Sequence, residues 1–191
     1  VEKLSGLNMI RAPRKLGVVS YDSAPRFETT QRVSAPCGFG LADEFSYVQT
    51  LTDKPLKVCC PGPLTIALPI TLKDGYPQGD YMPLLYDLVE LVNTELRAVV
   101  AAGATFIQID EPSAAGRQPA LSVQETVKLF NKTVEGVEAK IALHICFGNN
   151  QDLDCRVLPA SGANLTWTLF KGLNGCDSRR LSLLWDCTVI S

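Results

Sequence analysis

The single histidine of this 191-residue chain, His144, is followed two positions later by Cys146 in the stretch IALHICF. In an extended segment the side chains at i and i+2 project to the same face, so an imidazole nitrogen and a thiolate could converge on one metal ion. Nitrogen and sulfur are donors suited to zinc, and a catalytic zinc site uses three protein ligands with a fourth position open. Two donors do not complete such a site. A hydrogen-bonded core histidine beside a buried thiol is the alternative reading. Asp110 closes a second β-rich run, ATFIQID, just before a loop. There it could capture an amino group, take part in proton transfer, or cap the loop. Glu111 is not its catalytic partner, because adjacent residues of a strand point to opposite faces. In the Pro61-Gly62-Pro63 turn, Gly62 could let backbone approach a ligand closely, or the turn could simply end a strand. The sequence contains no G-x-S-x-G, P-loop or G-x-G-x-x-G motif.

The elements that must position these residues are patterned. From Asp80 to Val100 the spacing predicts a helix, with Leu84, Leu85, Leu88, Leu91, Val92 and Val99 on one stripe, Asp80 as N-cap, Pro83 in the first turn and Gly103 as the stop. It leads into the ATFIQID strand, and EPSAAGRQP is loop by composition. A second unit follows: SVQE supplies a capping box from Ser122 to Glu125, Val127, Phe130, Val134 and Val137 form the stripe, and IALHICF is the next strand. Upstream, DEFSYVQTL predicts a short helix feeding the strand KVCC. Helix, strand, loop, helix, strand is the grammar of parallel α/β architecture, because a parallel connection needs a crossover helix.

Alternation inside the strands separates two faces. Ile107 and Ile109 oppose Phe106, Gln108 and Asp110, while Ile141, Leu143 and Ile145 oppose Ala142, His144 and Cys146. The aliphatic face suits packing against helices. The other carries polar chemistry toward the C-terminal ends of the strands, where α/β barrels and open sheets place their sites. A (β/α)8 barrel fits this pattern best, with a doubly wound sheet as the alternative.

Eighteen basic and twenty acidic residues, with no long Lys/Arg block, give nothing that would recruit nucleic acid or an anionic membrane. No apolar run approaches a membrane span, and the opening VEKLSGLNMIRAPRK has no secretory apolar region, so a cytoplasmic location is expected. The seven cysteines (37, 59, 60, 146, 155, 176, 187) match no small disulfide scaffold and read as buried thiols or metal ligands.

In order and spacing, KPLKVCCPGPLTIALP, ELRAVVAAGATFIQIDEP and LHICFGN resemble the barrel domain of the cobalamin-independent methionine synthases, over roughly residues 40–150. The wider superfamily includes uroporphyrinogen decarboxylase. The resemblance implies a zinc-dependent methyltransferase that moves a methyl group from 5-methyltetrahydrofolate, or from a corrinoid, to the thiol of homocysteine. It also implies that His144 and Cys146 hold the zinc and that Asp110 binds the amino group of homocysteine. Members of the family take a glutamate from the next strand and a further cysteine near the barrel's end, yet residues 151–191 contain no glutamate. Cys155, Cys176 and Cys187 are candidate substitutes that spacing does not rank. Pro69 and Gly116 stand where the family carries a tryptophan and a glutamate against the folate, so the thiol acceptor is better supported than the folate donor.

A complete barrel takes about 250 residues. The expectation is therefore a partial or degenerate (β/α)8 TIM barrel, with residues 1–150 as the barrel domain and 151–191 as its divergent or truncated C-terminal segment. Open barrel edges would permit self-association. The competing functional reading is a non-catalytic remnant, or a binding or assembly partner without a complete zinc site. A decarboxylase of the uroporphyrinogen type is weaker, because that chemistry does not require an H-x-C pair.

Overall fold

Four parallel strands form one sheet, in the order β3–β5–β6–β7: Val58–Pro61, Phe106–Asp110, Lys140–Ile145 and Leu165–Leu169. The computed structural model describes residues 1, 3–11, 25–114, 121–145 and the backbone of 165–169. A second sheet contains β1 (Ser5–Arg11) and β2 (Arg26–Ser34), an antiparallel pair, with the two-residue β4 (Ile70–Thr71) running parallel to β2. The helical elements are α1 (Leu41–Gln49), α2 (Pro63–Ala67), α3 (Met82–Ala101) and α4 (Val123–Thr133). No helix among the described residues is long and apolar enough to cross a membrane.

The expected helix is α3, beginning one residue later than predicted. Tyr81 is its N-cap, and Asp80 instead accepts a hydrogen bond from the Met82 N–H at 3.0 Å. Pro83 tolerates this position because the first-turn N–H groups have no intrahelical acceptor. Gly103, at φ 102°, turns the chain out of the helix in a conformation that favours glycine. Leu84, Leu85, Leu88, Val92 and Val99 are buried as the stripe requires, joined by Val89 and Leu96. They share one hydrophobic cluster with Ile107, Ile109, Ile141, Leu143 and Ile145 from the strands. The aliphatic face of the parallel sheet is thus the core face.

A charged residue in that stripe has a local task. Glu95 is buried on α3 and accepts from the Phe39 and Leu41 N–H groups at 2.8 and 2.6 Å. Gly40, the N-cap of α1, offers no side-chain cap, so the carboxylate of another helix satisfies donors that the start of α1 would leave orphaned.

At α4 the capping box is complete. Ser122 Oγ accepts from the Glu125 N–H at 3.2 Å, and Glu125 Oε2 accepts from the Ser122 N–H at 2.9 Å. Ser122→Ala is expected to lower unfolding free energy by about 1 kcal/mol, read as a lower urea midpoint at constant m-value.

Candidate functional site

Parallel pairing brings Pro61, Asp110 and His144 into one row at the C-terminal ends of β3, β5 and β6. The ladder continues through the row: the Gly62 N–H donates to the Asp110 carbonyl at 2.9 Å and the Glu111 N–H to the His144 carbonyl at 2.8 Å. Cα register therefore places two side chains from residues 34 apart against each other. His144 Nδ1 lies 2.7 Å from Asp110 Oδ1. A carboxylate offers only acceptors, so Nδ1 is the donor, an arrangement that in a neutral imidazole leaves the lone pair on Nε2. The side chains of His144 and Asp110 are 24% and 32% exposed, which leaves the pair partly desolvated but within reach of a ligand.

Asp110 has a second partner. The Gln108 side-chain amide donates from Nε2 to the same Oδ1 at 2.7 Å, and Lys57 Nζ donates to Gln108 Oε1 at 2.8 Å. None of the described hydrogen bonds engages Asp110 Oδ2. Gln108 was legible only as a site-facing position two residues before Asp110; its partners were not.

Glu111 turns the other way and is buried. Its carboxylate accepts from the Leu64 N–H at 3.0 Å, the Thr65 N–H at 2.9 Å and the Thr65 hydroxyl at 2.7 Å, clasping the first turn of α2. Burial pushes its carboxyl up to about 7, against the lowering effect of those hydrogen bonds. The Pro61-Gly62-Pro63 turn is thereby explained. It ends β3, opens α2 with Pro63 in the first turn, and packs Gly62 against the Glu111 side chain. A Cβ on Gly62 would overlap Oε1, Cδ and Cγ of Glu111.

Of the cysteines near this end of the sheet, Cys60 lies on the core face and burial pushes its thiol to about 12, so it is protonated at neutral pH. Cys59 is an exposed free thiol, also raised by burial, with Lys57 lowering and Asp110 raising it. Cys146 lies outside the described residues, as do Cys155, Cys176, Cys187 and Gly116. Among the described residues no three metal-ligating side chains cluster. The Pro69 carbonyl accepts from the Phe27 N–H at 2.9 Å where β2 meets β4.

Residues 5–158 match the family model of the cobalamin-independent synthase catalytic domain. The methionine synthase of Saccharolobus solfataricus is 36% identical over 115 residues, covering 57% of this chain and 32% of that protein. That of Thermococcus kodakarensis is 36% identical over 108 residues, covering 56% of this chain and 31% of the relative. The chain thus spans about a third of the length of the curated relatives it matches. Among solved structures, a B12-independent methionine synthase from Shewanella sp. W3-18-1, in complex with selenomethionine, aligns with a TM-score of 0.59 at 24% identity, covering 80% of this chain and 44% of that one. This last likeness concerns the fold.

Proposed function

Because the chain belongs to the cobalamin-independent methionine synthase family, we propose that it carries part of the machinery that methylates the thiol of homocysteine to give methionine. The observation that carries the reading is the Asp110–His144 pair at the strand ends. A ligating histidine ordinarily donates its second ring nitrogen to a carboxylate, which sets the tautomer and the ring plane. The arrangement at His144 fits a zinc ion in this respect, with His144 and Cys146 as the ligands this chain would supply. Zinc bound there would lower the pKa of a thiol from about 8.5, so that a thiolate nucleophile exists at neutral pH.

Asp110 then has two tasks. Oδ1 orients His144, and Oδ2 receives the ammonium group of homocysteine, holding the amino acid beside His144. Sulfur attacks the methyl group, the bond from that carbon to the donor breaks, and the donor leaves with the electron pair. The donor is 5-methyltetrahydrofolate or a methylcorrinoid. We take the four parallel strands as one arc of a (β/α)8 barrel, and residues 151–191 as a continuation of the domain formed by 1–150, because β7 hydrogen-bonds to β6. Among the described strands β3 pairs on one side only, which supports self-association through that edge.

A non-catalytic remnant is the second reading, favoured by the lack of any glutamate in residues 151–191. Metal analysis of the purified chain separates the two. Methyl transfer predicts about one zinc per chain, lost in His144→Ala and Cys146→Ser, and a melting temperature that rises with homocysteine. A zinc-free chain whose melting temperature ignores homocysteine would establish the remnant.

A further inference from the structure

Lys57, Gln108, Asp110 and His144 form one hydrogen-bonded file that runs from the residue before β3 across β5 to β6. Its direction is set by chemistry. The ammonium group of Lys57 has only donors, so it takes the oxygen end of the Gln108 amide and turns the NH2 end toward Asp110. The reversed amide would set oxygen against carboxylate oxygen and nitrogen against ammonium. Lys57 is itself held, with Nζ 6.0 Å from the centroid of the Phe106 ring. Gln108 and His144 both donate to Oδ1, and two donors on one oxygen fix the plane of the Asp110 carboxylate in a way that neither fixes alone.

We propose that Gln108 is a positioning residue whose amide, oriented by Lys57, holds the Asp110 carboxylate in the one plane that keeps the His144 proton on Nδ1 and presents Oδ2 to substrate. The proposal rests on the functional reading above only for what Oδ2 and Nε2 bind. The orientation itself stands without metal or substrate.

His144 is the only histidine in the chain, so long-range 1H–15N spectra of the imidazole need no assignment. They distinguish a protonated ring nitrogen from a bare one. At about pH 8.5, where an ordinary imidazole is neutral, the chelator-treated wild-type chain is expected to show the proton on Nδ1. Gln108→Leu removes both amide partners, and the ratio of Nδ1–H to Nε2–H tautomers is expected to fall several-fold. Lys57→Met, at an exposed position, frees the amide to reverse and is expected to shift the ratio the same way by less. Gln108→Glu keeps the length and the Lys57 contact but removes the N–H, and should behave like Gln108→Leu rather than like wild type. A ratio unchanged in all three variants overturns the proposal, as does a wild-type chain with its proton on Nε2. If Gln108→Leu fails to fold, Gln108→Glu and Lys57→Met decide. Zinc affinity by chelator competition gives a second readout, expected to fall about tenfold in Gln108→Leu, the lower end of what outer-shell partners contribute. A chain that binds no zinc while its tautomer responds to Gln108 refutes the methyltransferase reading and leaves this one standing.

Discussion

Gly62→Ala is expected to lower the free energy of unfolding by about 3 kcal/mol or more, a loss at the upper end of single substitutions. Backbone strain is not the cause, since Gly62 has φ −81° and ψ 168°, which any residue adopts. The cause is occupied space: the new methyl group would lie within the Glu111 side chain. That side chain cannot swing aside cheaply, because it is buried and holds three hydrogen bonds. Displacing it strands the Leu64 and Thr65 N–H groups, at about 1–3 kcal/mol for each buried group left unsatisfied. Urea unfolding followed by far-UV circular dichroism measures the loss. The double variant with Glu111→Ala checks its origin, because truncating Glu111 removes the overlap and the two effects should then sum to less than their separate values. A Gly62→Ala chain within about 1 kcal/mol of wild type would contradict this account of the turn.

Glu111→Gln is expected to change how stability depends on pH. In the folded chain the Glu111 carboxyl titrates at about 7, against 4.5 for an unperturbed group. Between those values the folded state holds a proton that the unfolded state has released. Its contribution to stability is therefore fully present below about 4.5 and declines as pH rises toward about 7, by up to about 1.4 kcal/mol per pH unit. An amide cannot titrate, so the stability difference between wild type and Glu111→Gln should shift against wild type across that window and become flat above it. Unfolding curves at several pH values across that window measure the difference. A difference that stays constant from acid to neutral pH would mean that Glu111 titrates alike in the folded and unfolded chain, with the three donors cancelling the effect of burial.

Local chemistry determined a good part of this molecule. Period-two alternation in FIQID and IALHI separates Ile107, Ile109, Ile141, Leu143 and Ile145 from Gln108, Asp110 and His144, because strand geometry alone dictates which side chains share a face. The stripe of α3 and the box from Ser122 to Glu125 are likewise contained within a few turns of chain. Elements whose signal is short or diluted were not foreseen. Helix α2 has five residues, too few for a helical period, and β1 is largely exposed, while the buried Thr29 breaks the apolar alternation of β2. Which polar groups meet was decided only by tertiary structure. Asp110 reaches His144 across 34 residues, Glu111 reaches Leu64 across 47, and Glu95 reaches Phe39 across 56. Such pairs depend on strand order and register, which the hydrophobic pattern constrains only as to face. Neighbours along a strand are written in its sequence, whereas neighbours across a sheet exist only once the strands have paired.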